Sequence, residues 1–276
     1  MRGPLITVPE LHEAIGKVAV FDIRWDLSDS EAGRRRYLTG HIPTAVFVDL
    51  DTDLSVPNGP GRHPLPSPSH FAATLGRLGV GSHSDVVVYD DVGGSVAARL
   101  WWMLRAIGHR GTVRVLDGGW QAWAESGFAT ATDDVHPGAR TYPVPSAGYR
   151  GIIDREGVAA TRSHLLLDAR APERFRGEHE PVDPRAGHIP GAVNTPWQDN
   201  LAPDGRMRDA GALRRRFRDL GAEHRPVIVS CGSGVNACHL ALALEIAGLP
   251  RPRLYPGSFS DWARADLAVV TGPDPE

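Results

Sequence analysis

Lysine is almost absent from this chain: Lys17 is its only one, and arginine carries the remaining positive charge. That scarcity argues against two chemistries, because a Gly-x-x-x-x-Gly-Lys phosphate loop and a Schiff-base amine both require a lysine. Cysteine is nearly as scarce. Cys231 and Cys238 lie seven residues apart on one loop and the helical pattern that follows, which is poor geometry for a structural disulfide. So few thiols fit a reducing, cytoplasmic compartment. There is no Cys-x-x-Cys pair and the histidines are dispersed, so no metal site is expected. No apolar run approaches the ~20 residues of a membrane helix, and Met1-Arg2-Gly3-Pro4 lacks a secretory core, so no membrane association is expected. A formal charge of −3 without a long basic run gives no electrostatic footprint for nucleic acid.

What the chain does have is a repeat. At 276 residues it is long enough for two domains that each bury a core. Phe21-Asp22-Ile23-Arg24 returns as Leu167-Asp168-Ala169-Arg170, and Gly40-His41-Ile42-Pro43 returns letter for letter as Gly187-His188-Ile189-Pro190. Val86-Val87-Val88-Tyr89-Asp90 matches Val227 to Cys231, and the Leu116 to Trp123 segment matches Tyr255 to Trp262. The offsets are 146, 147, 141 and 139 residues, a drift that loops of unequal length produce. Four matches in the same order mark a duplicated domain. We therefore expect residues 1–128 to form one domain, 129–150 a Pro- and Gly-rich linker, and 151–276 a second domain.

Each half alternates short β-branched runs with helical patterns. In the first half strands are expected at Val18–Asp22, Ala45–Val48, Val86–Tyr89 and Val113–Leu116, with helices near Ser69–Leu78, Ser95–Ile107 and Gly119–Ser126. Apolar, non-alternating strands between helices predict an α/β fold whose parallel sheet is covered by helices on both faces. Reactive groups in such sheets sit at the carboxyl ends of the strands.

Cys231 falls at such an end. The run Val227-Ile228-Val229-Ser230 stops at the cysteine, Gly232-Ser233-Gly234 makes a tight turn, and an apolar helical pattern runs from Val235 to Ala247. Backbone N–H groups of the turn and a helix start beside the sulfur favour the thiolate, the reactive form. Duplication supplies an internal control, because residues shared by both halves belong to the scaffold when one reactive centre needs them once. The Asp-x-Arg pairs, His41 and His188 of the Gly-His-Ile-Pro segments, and Trp123 and Trp262 are structural by this test. Function should lie where the halves differ. Cys231 faces Asp90, and Arg174 faces Ser28, so the nucleophile and a cation both belong to the carboxyl half.

On these residues the chain resembles the tandem rhodanese-type sulfurtransferases, over roughly Thr7 to Thr271. The resemblance implies two rhodanese-like domains, a catalytic cysteine in the carboxyl domain only, and an acidic residue at its place in the amino domain, as Asp90 is. The loop Cys231-Gly232-Ser233-Gly234-Val235 is similar to those of 3-mercaptopyruvate sulfurtransferases, whereas thiosulfate-preferring members carry Arg-Lys after the cysteine. Arg174 of Arg174-Phe175-Arg176-Gly177 matches the family's substrate-binding arginine. Asp51 and His63 match an aspartate and a histidine of the amino domain that approach the donor. Two positions depart from the pattern: Asn236 replaces a threonine, and a second substrate arginine falls near Asp183, with only Arg185 close by.

The resemblance implies a ping-pong transfer. Cys231 takes a sulfane sulfur as a persulfide and passes it to a thiol, to cyanide or to a thioredoxin-like reductant, with no cofactor beyond that covalent intermediate. Mercaptopyruvate leaves as an enolate, which needs proton management by Ser233 and His63; thiosulfate leaves as sulfite, which does not. Arg174 would hold the donor's charge, with Gly232, Gly234 and Val235 shaping the loop. Plainer roles stand beside these: Ser233 as a loop cap, Arg174 in a salt bridge to Glu173 or Glu178, and Cys238 as packing. Phosphatases of a related fold need an arginine six positions after the cysteine, where this chain has Ala237. A Gly-x-Ser-x-Gly elbow is missing around Ser233, since Cys231 and Val235 hold the outer positions. A thiosulfate sulfurtransferase and a persulfide-carrying interaction module are the two alternatives to a mercaptopyruvate enzyme.

Overall fold

A computed structural model of the chain describes residues 3–161 and 163–273. The described chain falls into two compact units. One comprises residues up to Val56, Leu65–Arg150 and Pro203–Met207; the other comprises Pro57–Pro64, Gly151–Ala202 and the residues from Arg208 onward. Each unit thus includes a short stretch of the other repeat, taken in both cases from the segment that follows the strand after the Gly-His-Ile-Pro turn.

The first unit runs β1 (Leu5–Ile6), α1 (Val8–Ala14), β2 (Ala19–Asp22), α2 (Ala32–Thr39), β3 (Val46–Phe47), α3 (Pro68–Arg77), β4 (Val86–Tyr89), α4 (Ala97–Ala106), β5 (Val113–Leu116) and α5 (Gly119–Glu125). Its strands pair in parallel in the order β1-β5-β4-β2-β3. All four residues of β4 are buried, as are all four of β5. Successive side chains on a strand point to opposite faces, so unbroken burial means that both faces are covered. The strands expected from β-branched runs are present. The sequence pattern passed over β1, α1 and α2: β1 has two residues, and α2 carries three arginines and buries only Gly33 and Tyr37. α1 begins in a capping box, with Thr7 Oγ1 accepting from Glu10 N and Glu10 Oε2 accepting from Thr7 N.

The second unit runs α6 (Arg155–Ala160), β6 (Leu165–Asp168), α7 (Pro172–Phe175), β7 (Ala192–Asn194), α8 (Ala210–Asp219), β8 (Val227–Ser230), α9 (Asn236–Ile246), β9 (Arg253–Leu254) and α10 (Ser258–Trp262), with a 3-10 turn at Trp197–Asn200. Its strands are again parallel, in the order β7-β6-β8-β9. Strand β8, which leads to the cysteine, lies between β6 and β9 and is buried along its whole length. Residues 129–150 do not swing free. Ala131 bridges His41, Arg140 N donates to Gly76 O at 2.8 Å, and Arg150 N donates to Ala106 O at 2.9 Å, all within the first unit.

The shared residues form the same scaffold twice. Arg24 forks onto Asp22 and donates to Gly40 O; Arg170 forks onto Asp168 and donates to Gly187 O. His41 Nδ1 donates to Tyr37 O at 2.9 Å and its ring stacks on Tyr37; His188 Nδ1 donates to Phe175 O at 2.8 Å and its ring stacks on Phe175. Trp123 Nε1 donates to Ala129 O and Trp262 Nε1 to Ala268 O. These are turn and core anchors.

Candidate active site

The β8–α9 connection turns within five residues, from Cys231 to Val235, and glycine makes the turn possible. Gly234 has φ +79°, and a Cβ there would lie 2.3 Å from Pro256 O, so any side chain is excluded on both counts. The turn aims Gly234 N–H at Cys231 Sγ, 3.0 Å away, where it stabilises negative charge on sulfur. The loop's other edge is tied down. Cys231 N donates to Ser258 Oγ (3.1 Å), Cys231 O accepts from Phe259 N (2.9 Å), and Gly232 O accepts from Ser260 N (2.9 Å). Cys231 is 3 % exposed and in no disulfide; Cys238 is buried, is likewise in no disulfide, and donates to Gly234 O from the first turn of α9.

Ser233 and His63 meet. Ser233 Oγ lies 2.8 Å from His63 Nδ1, and both residues are nearly buried, 8 % and 6 % exposed. His63 reaches Ser233 because Pro57–Pro64 packs as part of the second unit. Asp51 belongs to the first unit, where its Oδ2 accepts from Trp25 Nε1 at 2.9 Å.

Beside the loop stands a cluster of charges. Arg174 pairs with Glu180, at 2.6 Å through Nη2 and 3.2 Å through Nε, and with Asp183 at 3.2 Å. The expected alternatives, Glu173 and Glu178, are not its partners; Glu178 takes Arg176 instead. Arg62, a residue the sequence did not single out, pairs with the other oxygen of Asp183. Its guanidinium and that of Arg174 both lie over Gly232, where a Cβ would meet Arg62 Nη2 at 2.7 Å and Arg174 Nη1 at 3.6 Å. Burial lowers the pKa of Arg62, opposed by the charge of Asp183; burial likewise pushes the Asp183 carboxyl up against the pull of Arg62. Burial also opposes ionisation of Glu180, yet hydrogen bonds from Arg174 and from the amides of Asp183 and Val182 hold its carboxyl below the ordinary range. Two guanidinium groups thus balance two carboxylates. Arg185, the nearest arginine in sequence to the missing position, is committed elsewhere: it donates to the carbonyls of Trp262, Ala263, Ala265 and Leu267.

The equivalent loop of the first unit holds a carboxylate. Asp90 sits in the cysteine's place, and its Oδ1 accepts from Val92 and Gly94 while Oδ2 accepts from Val96 and Ala97, all at 2.8–2.9 Å. Burial pushes this carboxyl up, and the four amides oppose it. The loop is an anion cradle filled by its own side chain. A carboxylate oxygen and the outer sulfur of a cysteine persulfide both stand two bonds beyond Cβ.

The description "Rhodanese-like domain" matches this chain twice, over residues 7–126 and 152–265. The chain belongs to the rhodanese family. Within that family it is 43% identical over 274 residues to the probable 3-mercaptopyruvate sulfurtransferase of Pseudomonas aeruginosa, covering 94% of each protein. It is also 43% identical over 269 residues to a Mycobacterium tuberculosis protein provisionally named thiosulfate sulfurtransferase SseB, covering 94% of this chain and 93% of that one. Among solved structures it resembles SseA from Escherichia coli, a 3-mercaptopyruvate sulfotransferase, with a TM-score of 0.82 and 32% identity over 93% of this chain and 99% of that one. This rhodanese-family chain is a sulfurtransferase, with a sulfur donor and an acceptor. Equal identity to relatives named for two donors leaves the donor to the chemistry of the site.

Proposed function

We propose that the protein transfers sulfur from 3-mercaptopyruvate through a persulfide on Cys231. The observation that carries the donor assignment is the 2.8 Å contact between Ser233 Oγ and His63 Nδ1, two residues from the nucleophile. Thiosulfate needs no such pair, since sulfite departs with its electron pair and no proton moves. Mercaptopyruvate does. The Cys231 thiolate forms the new S–S bond as the donor's S–C bond breaks, and that electron pair goes to the pyruvate enolate. The donor's own thiol proton must then travel from sulfur to carbon. Ser233, backed by His63, is positioned to carry it, and the products are pyruvate and an ionised persulfide. Gly234 N–H and the other loop amides receive the persulfide's charge as the four amides of the first unit receive Asp90. Arg174 holds the donor's carboxylate, while Gly232 leaves the loop thin beside it.

The charge balance of the site points the same way. Two guanidiniums already matched by Glu180 and Asp183 suit a donor with one negative charge better than the dianion of thiosulfate. Residues 151–276 act as the catalytic domain and 1–128 as a partner domain with Asp90 in place of the nucleophile. In the second half-reaction a thiol, cyanide or a thioredoxin-like reductant attacks the outer sulfur and restores the Cys231 thiolate. The turnover needs no cofactor and runs in the cytoplasm. Measuring kcat/KM for 3-mercaptopyruvate and thiosulfate side by side, with Cys231→Ser as the blank, tests this. Preference for thiosulfate would overturn the donor assignment, and turnover by Cys231→Ser would overturn the persulfide.

A further inference from the structure

Two guanidinium forks, not one, stand over the residue that follows the nucleophile. Arg62 Nη2 and Arg174 Nη1 would both crowd a Cβ on Gly232, at 2.7 and 3.6 Å. They arise from different segments: Arg174 from α7, Arg62 from the Pro57–Pro64 stretch that packs into the second unit. One carboxylate pins both, with Asp183 Oδ1 on Arg62 Nη1 and Oδ2 on Arg174 Nη2. The stem of Arg62 is fixed as well, since its backbone N donates to Ser260 Oγ at 3.0 Å. Its Nε is buried and has no partner among the described residues. Arg185, by contrast, spends its donors on four carbonyls of the protein. Arg62 instead leaves Nη2 against the loop of the nucleophile.

We propose that Arg62 is the second arm of the clamp that holds the anionic end of the sulfur donor, with Asp183 setting its distance from Arg174. The proposal rests on the sulfur-transfer reading above and adds a specificity residue to it. An arginine at position 62 and an aspartate at position 183 work as a pair: the cation is supplied from one segment and anchored by a carboxylate on another. Together with Glu180, that carboxylate also holds the two-arginine clamp near neutrality, which tunes it toward singly charged donors.

The test compares three donors in wild type and in Arg62→Met: 3-mercaptopyruvate, thiosulfate, and mercaptoacetone, which has the ketone and thiol of mercaptopyruvate but no charge. Persulfide formation on Cys231 is followed in single turnovers by mass spectrometry, so that slow donors are measured too. Loss of one charged arm is expected to lower the rate with both anionic donors by about 10- to 100-fold and with mercaptoacetone by less than about threefold. Arg62→Lys should recover part of the loss, as a single charge without the fork. Equal losses with all three donors, or no loss with any, would overturn the proposal. Should wild type ignore mercaptopyruvate and use thiosulfate, the donor assignment fails alone, and the clamp is judged by thiosulfate against mercaptoacetone. Should Arg62→Met not fold, Asp183→Asn decides. Removing one negative charge should raise the thiosulfate-to-mercaptopyruvate ratio by about three- to tenfold, and an unchanged ratio would overturn the proposal.

Discussion

Replacing Ser233 by alanine removes one hydroxyl and leaves the loop backbone as it was. The hydroxyl sits 2.8 Å from His63 Nδ1 in a place only 8 % exposed, so its loss as a hydrogen bond costs about 1 kcal/mol of stability. Its loss as a proton carrier is larger. Positioned acid–base groups contribute about 10²- to 10⁴-fold, so kcat with 3-mercaptopyruvate should fall by that factor, roughly 3 to 5 kcal/mol of transition-state stabilisation. Thiosulfate offers an internal reference, because its leaving group needs no proton; with that donor the same variant should lose no more than about threefold. The donor ratio should therefore change by at least about 30-fold, whatever fraction of the preparation is active. Pyruvate release and sulfite release, measured on one batch of enzyme, give the two numbers. A matching loss with both donors would refute the relay and return Ser233 to the role of loop cap. Unchanged pyruvate release would do the same.

Other expectations follow from the same contacts. Arg185→Ala strips donors from the carbonyls of Trp262, Ala263, Ala265 and Leu267 and should lower stability by about 2 to 4 kcal/mol in urea titrations without altering kcat/KM; an altered donor preference would return it to the site. Asp90→Asn puts an amide N–H where two backbone N–H groups already point, and thermal melts should show a loss of about 2 to 4 kcal/mol; a neutral result would mean that the first-unit loop is no anion cradle. Glu180 is held below the ordinary glutamate range, so near pH 4.5 the folded protein binds fewer protons there than the unfolded chain does. Its share of stability is present above that pH and is lost as pH falls through the depressed value. Glu180→Gln should accordingly flatten the acid limb of the stability curve between about pH 5 and 3, and an acid limb as steep as wild type would contradict the assignment. Cys238→Ala should keep full turnover, since Cys238 packs in α9 with its thiol donating to Gly234 O; loss of the persulfide in that variant would assign it a second role.

The duplication, both parallel sheets and the glycine turn that follows Cys231 were legible in the linear chain, for reasons that local chemistry explains. Buried parallel strands need continuous β-branched runs, and Val86–Tyr89 and Val227–Ser230 have them. A tight turn at a strand end needs glycine, and Gly234 marks it. Comparison of the two halves then separates scaffold from chemistry: Asp22–Arg24 and Asp168–Arg170 are the same brace built twice, whereas Cys231 and Asp90 are two different fillings of one loop type. The passed-over elements are those with little to bury. β1 has two residues, and α2 carries its arginines on a largely solvent-facing helix.

Only the tertiary structure decided which guanidinium groups lie over the Cys231 loop. Sequence proximity left Arg185 as the arginine close to the missing one near Asp183, yet that side chain turns toward the carbonyls at and after the end of α10, while the fork over the loop comes from Arg62, 121 residues before Asp183 in the chain. The contact between His63 and Ser233 spans 170 residues, and it forms because a stretch from the amino repeat packs into the unit of the carboxyl repeat. Periodicity and turn chemistry act over a few residues, and they specify strands, helices and the glycine turn directly. A charge pair across more than a hundred residues leaves no local pattern, because its partners are selected by packing after the chain has folded.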